Sequence, residues 1–490
     1  MNVREGQTLV EIKGTSVVEP QLRHGSLGLA ELVLHAVTHI APATCVVLTL
    51  PTIAQHAGAA MPISFILSTL LCFSIGSTVY EFSRYAPSSG GYYSFATRGL
   101  GNRAGFMATW SYLIYEIIGA AACIGFISYL ICDSLKAELH ISVPWWSLVL
   151  AMSALIWWLT HRGIQISARA TAILGTLELL IMVALGITFL LHPGHGSSYA
   201  APLNPASSPT HARGILAGMV FSILALSGFE SPAPMAQEAR LPHKTVGRSI
   251  MLALTVVGGF YIYMAYTSAI GWGTGDMPAF ASNANPYYVL SRSLWGTGWW
   301  LIVLAILNSA VGTGIACTNA ASRVMYTMGQ AGTLPTALGR VHPAHRTPAN
   351  AIAASQVIGI GTILLVGWLY KPENLFAFLG TIATLAIIVL YVMANLALTS
   401  FMRRLQKTNF KVWRHVLLPW VATLALLPVL FVTVYPSPDW PVSLTPYLFL
   451  AAMFAGLAYM HWQERQSPGT LERATANLVG AATVQPELEE

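Results

Sequence analysis

The chain has 490 residues, of which 55% are hydrophobic and 9% charged, with a formal net charge of +6. Soluble domains carry about a quarter charged residues, so this composition excludes a soluble globular domain and points to a polytopic membrane protein. The basic residues sit in short loops and form no patch, so no nucleic-acid partner is expected.

Residues 1–24 form a polar segment of mixed charge. They lack the apolar core of a signal peptide, and the expectation is that no leader is removed. Twelve apolar segments follow, at about 27–55, 62–83, 103–132, 145–160, 167–191, 213–236, 249–270, 298–328, 350–369, 375–400, 416–434 and 446–463. Each reads as a membrane-spanning helix, which predicts an all-α membrane protein. The fourth is short, and Trp145, Trp146, Trp157 and Trp158 are placed as interfacial anchors. Residues 464–490 form a polar tail ending in Glu487, Glu489 and Glu490. Cys45, Cys72, Cys123, Cys132 and Cys317 all fall in or at the ends of apolar segments with no CxxC spacing. They are expected to be small core residues that bind no metal and form no disulfide.

Two segments are interrupted. Segment 1 carries Thr38-His39-Ile40-Ala41-Pro42-Ala43-Thr44, and segment 6 carries Leu226-Ser227-Gly228-Phe229-Glu230-Ser231-Pro232-Ala233-Pro234. Proline has no N–H to donate and disfavours α geometry in the residue before it. The freed backbone groups must find partners or line a wet cavity. Paired breaks in corresponding positions of two halves point to the binding site of a transporter with inverted repeats; the other reading is a pair of ordinary proline kinks, common in membrane helices. Segments 1–5 and 6–10 fit such a pair, because an odd number of helices per copy reverses the topology, and segments 11 and 12 lie outside it. With a cytoplasmic N-terminus, 21 of the 25 Lys and Arg residues fall on the cytoplasmic side. Only Lys136, Arg213, Arg292 and Lys371 fall outside, so both termini are expected in the cytoplasm.

Three further stretches carry a resemblance. Glu81-Phe82-Ser83-Arg84-Tyr85-Ala86-Pro87-Ser88-Ser89-Gly90-Gly91-Tyr92-Tyr93 precedes Gly101, Gly105-Phe106 and Trp110. Gly228-Phe229-Glu230 precedes Glu238-Ala239-Arg240-Leu241-Pro242. Ser322-Arg323-Val324-Met325-Tyr326-Thr327-Met328 precedes Gly332-Thr333-Leu334-Pro335 and Thr347-Pro348. In this order they resemble the signatures of the amino acid–polyamine–organocation permeases, and together they cover most of residues 28–400. The resemblance implies a LeuT-like 5+5 inverted repeat with broken helices 1 and 6. The transporter domain then spans 25–463, with helices 1–5 at about 27–191, helices 6–10 at about 213–400 and helices 11–12 at about 416–463. It also implies a multi-pass protein of the plasma (cell inner) membrane, lipid-embedded, with an amino acid as substrate and no cofactor. The sequence departs from the family at three places. Pro42-Ala43-Thr44 stands where many members have a G-x-G. Glu178 stands where many proton-coupled members have a lysine, and Leu224 where some relatives place an aromatic gate.

A zwitterion suits two helix breaks. Helix N-termini offer N–H groups and partial positive charge to a carboxylate, and freed carbonyls suit an ammonium group. On this reading the half-helix starting near Ala43-Thr44 takes the α-carboxylate. The carbonyls near Ile40 and Ala41, with those of Ala225 and Ser227, take the amine. Pro42, Leu224 and Gly228 complete the expected site. Ionisable groups within the membrane are candidates for coupling transport to H+ or Na+. Glu178, Glu230 and His39 are the candidates, against a structural hydrogen bond for Glu178, capping of the unwound turn for Glu230, which is the preferred reading there, and a hydrogen-bonded core role, preferred for both His35 and His39. Glu116 lies mid-segment 3, and Glu31, His35 and His39 share one helix face at spacing four. Arg323 and Glu238 are expected to pair at cytoplasmic helix ends and to stay off the substrate. With no GxSxG, HExxH, P-loop or paired CxxC, an enzyme is not expected. Other readings of the same fold are a permease for polyamines or other organic amines and a membrane sensor that binds without transporting.

Overall fold

The computed structural model describes residues 7–12, 15–20, 22, 24–88, 90–283, 285–435 and 440–474. Part of the expected tail and Ser89 of the glycine-rich motif therefore lie outside the described residues. Gln7–Ile12 (β1) pairs antiparallel with Thr15–Pro20 (β2), a ribbon absent from the all-α expectation. Thr8, Val10, Ile12, Thr15, Val17 and Val18 are β-branched, and such residues favour extended backbone.

From residue 29 onward the regular structure is helical. The first expected segment divides into α1 (Leu29–His39) and α2 (Pro42–Ala57). Then come α3 (Met61–Tyr85), the short α4 (Tyr92–Leu100), α5 (Asn102–Leu139), α6 (Trp145–His161) and α7 (Ile164–Leu191). The second half runs α8 (His211–Leu226), α9 (Pro242–Trp272), the short α10 (Met277–Ser282) and α11 (Pro286–Trp295), and α12 (Trp300–Gln330). It ends with α13 (Ala349–Tyr370), α14 (Leu375–Leu405), α15 (Leu418–Val434) and α16 (Thr445–Gln466). Nine stretches of described helix are long and apolar enough to cross a membrane, one of them Leu29–Tyr85, which holds α1, α2 and α3. A chain with this many apolar helices is a multi-pass membrane protein, because helices satisfy their backbone internally where water is absent.

Segment 6 differs most from expectation. Its helix stops at Leu226 and resumes only as a six-residue 3-10 turn, Ala233–Glu238. Two prolines explain this: Pro232 and Pro234 donate no backbone hydrogen bond, so the regular ladder cannot be re-established. The core gathers α1, α5, α12 and α14, whereas Ile173, Leu180, Leu365, Phe431 and Phe454 are exposed apolar residues at the periphery.

Arg323 and Glu238 do pair, and both are fully buried. Nε donates to Oε2 at 2.9 Å and Nη2 to Oε1 at 3.3 Å, while Nη1 donates to Asn319 Oδ1 at 3.0 Å. The backbone around Glu238 also receives the lead into α1. Ser26 and Leu27 N–H both donate to Glu238 O at 2.9 Å, and Arg240 N–H donates to Leu27 O at 2.9 Å. One ion pair thus pins the end of segment 6, the start of α1 and the last third of α12. Removing one partner of a buried pair costs about 3–5 kcal/mol, because the other charge is left buried and alone. Arg323→Met is expected to lower the thermal midpoint of the detergent-solubilised protein sharply, and Arg323→Met/Glu238→Leu to recover most of the loss. Equal midpoints for wild type and Arg323→Met would show that the pair is not what holds these segments.

Candidate functional site

The first break falls at Ile40 and Ala41. Pro42 opens α2, where its missing N–H is no loss, and it pushes the preceding Ala41 out of right-handed geometry. Ala41 takes φ 57 and ψ 60, a left-handed conformation that costs a non-glycine residue about 1–2 kcal/mol. The freed carbonyls are met by side chains. Thr313 Oγ1 donates to Thr38 O at 3.0 Å, and Tyr261 Oη to Ile40 O at 3.3 Å. Thr38 is itself wedged against Gly312 of α12, where any side chain would collide with it.

The second break lies directly against the first. Gly228 takes φ +109, and a Cβ built there would lie 2.9 Å from the His39 ring. Its N–H donates to Glu230 Oε2 at 3.2 Å, and Tyr391 Oη donates to the same oxygen at 3.0 Å. Glu230 therefore folds back to hold its own turn. Ser227 closes the end of α8, its hydroxyl donating to Leu224 O at 2.6 Å.

Between the breaks is a small, partly open cavity. Of the residues expected at the substrate site, Ile40, Ala41, Leu224 and Ser227 line it, with His39 beside them. Pro42, Ala43, Thr44, Ala225 and Gly228 do not; they are buried in the packing behind it. The sequence reading missed the opposite wall, formed by Tyr115, Gly119 and Ala122 of α5 and Phe376, Gly380 and Ala383 of α14. The signal was present, since Phe376, Gly380 and Ala383 share one helical face at spacings of four and three.

The first turn of α2 has its N–H groups occupied. Ala43 N–H donates to Glu178 Oε2 at 3.4 Å and Thr44 N–H to Ser309 Oγ at 3.2 Å. A carboxylate is favoured at a helix N-terminus, and here α7 supplies one from the protein itself. Glu31 is spent locally, accepting the Gly28 N–H at 3.0 Å as part of the α1 cap. His39 Nε2 stands 3.2 Å from Glu116 Oε2 and 3.2 Å from Cys317 Sγ, and its ring stacks on Tyr115. Cys317 is thus more than a packing residue.

A family model described as "Amino acid permease" matches residues 31–462, and the chain belongs to that family, within the amino acid–polyamine–organocation superfamily. It is similar to the branched-chain amino acid permease BcaP of Lactococcus lactis subsp. cremoris, 26% identical over 388 residues that cover 73% of this chain and 78% of the relative. The low-affinity putrescine importer PlaP of Escherichia coli K12 is 25% identical over 319 residues, covering 64% of this chain and 66% of the relative. The L-asparagine permease of the same organism is 23% identical over 421 residues, covering 80% of each. The family and these relatives are transporters of small molecules.

Proposed function

We propose that the chain is a secondary active transporter that moves amino acids across the plasma or inner membrane by alternating access, by cation-coupled symport or by exchange. The observation that carries this is the meeting of two helix breaks, Ile40–Ala41 and Ser227–Gly228, beside one cavity lined by Ile40, Ala41 and Ser227. Twelve crossings follow if α1–α2, the short α6 and α8 with its 3-10 turn each count as a span. The inverted 5+5 repeat and cytoplasmic termini rest on the placement of the breaks and on the 21-to-4 distribution of Lys and Arg.

The amine of the substrate is placed near the Ile40 and Ala41 carbonyls and the end of α8, where helix ends and unwound turns carry partial negative charge. For its carboxylate to reach the N-terminus of α2, the Ala43 and Thr44 N–H groups would have to be released from Glu178 and Ser309. Glu178 already stands at that end, and two carboxylates do not share one site unless one is protonated or compensated by a cation. Substrate and coupling cation would then enter together. This links the departure from the family's lysine to the chemistry of the cavity.

The walls supplied by Ile40, Ala41, Leu224, Ala122, Phe376 and Ala383 are apolar, so neutral or weakly polar α-amino acids of moderate size are the favoured class. The expected result in proteoliposomes is uptake of leucine-sized labelled amino acids, competed by their unlabelled forms. A second reading, transport of polyamines or similar amines, is favoured by Glu116 at the edge of the site and by the likeness to a putrescine importer. Competition by putrescine and by no α-amino acid would overturn the first reading and support the second.

A further inference from the structure

We propose that His39, Glu116 and Cys317 form a binding site for a borderline-soft divalent metal ion of the Zn2+ class. The three residues come from α1, α5 and α12, and their ligand atoms all lie within 4.8 Å of one another. His39 Nε2 is 3.2 Å from both Glu116 Oε2 and Cys317 Sγ. In a tetrahedral zinc site, metal–ligand bonds of about 2.0–2.3 Å set neighbouring ligands roughly 3.3–3.7 Å apart. A small outward adjustment of these side chains converts the present contacts into such a coordination sphere.

Three independent features support the site. The donor set of imidazole, carboxylate and thiolate suits zinc and its substitutes, not calcium or magnesium. Among the described residues no Lys or Arg pairs with the buried Glu116 carboxylate, whose ionic partner is the His39 ring at 3.2 Å. A buried carboxylate without a permanent cation beside it is costly, and a bound metal ion would supply one. The charge also balances, because a carboxylate, a thiolate and a neutral imidazole together offset a divalent cation, which makes deep burial tolerable. Binding releases the Cys317 thiol proton to solvent and forms the metal–sulfur bond, so affinity falls as pH falls.

The cluster is reachable. His39 and Cys317 line the cavity between the breaks, and Glu116 and Cys317 line a second, narrower one toward Ser153, Ser355 and Gln356. Three protein ligands leave one coordination position for water or a substrate group. An ion held here ties the half-helix α1 to α5 and α12. On the transport reading given above it therefore arrests the carrier, which makes this an inhibitory site.

The test uses the full chain purified in detergent and titrated with Co2+, then with Zn2+. One Co2+ per chain is expected, with a thiolate-to-cobalt charge-transfer band and the ligand-field bands of a tetrahedral site, all displaced by Zn2+. Cys317→Ser should abolish the charge-transfer band, while Cys45→Ser and Cys123→Ser, altered at the other cavity-lining cysteines, should keep it. Glu116→Gln provides a second measurement if Cys317→Ser does not remain monodisperse. It should retain the band and weaken Zn2+ binding by at least roughly tenfold, a loss that even outer partners of a metal ligand produce. A wild-type protein without the band, a band that survives Cys317→Ser, or unchanged Zn2+ affinity in Glu116→Gln overturns the proposal. Zn2+ that binds as expected but leaves uptake untouched refutes only the inhibitory role.

Discussion

Gly228→Leu is expected to reduce uptake to background while the protein remains inserted and monodisperse. Two physical effects act together at this position. The backbone holds φ +109, which L side chains rarely adopt and which costs of the order of 1–3 kcal/mol when forced. The first side-chain atom also lands 2.9 Å from the His39 ring, so the two breaks must separate to admit it. That separation displaces Ser227 and Ile40 at the cavity wall and breaks the Gly228 N–H bond to Glu230. Gly228→Ala carries the same backbone penalty with less bulk and should leave measurable uptake between the two extremes. The measurement is uptake per molecule in proteoliposomes, beside size-exclusion profiles of each variant. Wild-type uptake by Gly228→Leu would remove the second break from the site. Ala43→Trp is a different experiment. Ala43 is fully buried behind the cavity, against Glu178, so a tryptophan there strains the packing of α2 on α7 and tests stability as much as binding.

The breaks were readable in the sequence because proline acts locally. Pro42, Pro232 and Pro234 cannot be absorbed into a helix without losing hydrogen bonds, so their neighbourhoods announce themselves in any tertiary setting. The expectation that Ile40, Ala41 and Ser227 lie at the site rests on helix-end physics together with the family resemblance, and Leu224 enters through the resemblance alone. What the sequence hid is side-chain pairing across distance. His39 meets Glu116 and Cys317 from helices 77 and 278 positions away in the chain, and no local pattern encodes that meeting. Glu178 was visible as a carboxyl group in an apolar helix, but its place at the N-terminus of α2 depends on how α7 crosses α1. The wall from α14 was missed because Phe376, Gly380 and Ala383 look like ordinary apolar packing until the helix is docked. The N-terminal ribbon lies outside the apolar segments, in a short polar stretch whose only strand signal is its alternating β-branched residues.

Glu178→Gln is expected to abolish accumulation driven by a cation gradient while preserving substrate counterflow. The side chain of Glu178 accepts the Ala43 N–H at 3.4 Å, and Ser309 holds the adjacent Thr44 N–H. An amide keeps a carbonyl oxygen for Ala43, so the fold of the α2 N-terminus survives the substitution. It cannot, however, change charge. Transport against a gradient requires a group whose occupancy differs between the states of the cycle, and glutamine imitates only the protonated acid. In that fixed form the substrate carboxylate meets no competing charge at the helix end. Exchange of substrate across the membrane should therefore continue, at a rate within a few-fold of wild type, while uptake driven by a pH gradient is lost. Sodium coupling makes a different forecast for the wild type, namely uptake that depends on external Na+ and is insensitive to the pH gradient. If Glu178→Gln accumulates substrate as well as wild type under both gradients, Glu178 serves only to cap α2. The coupling group must then be sought at Glu230, which Tyr391 and Gly228 hold in place, or at His39, which faces the cavity and is paired with Glu116. Measuring counterflow alongside accumulation separates these cases, because a variant that merely fails to fold loses both.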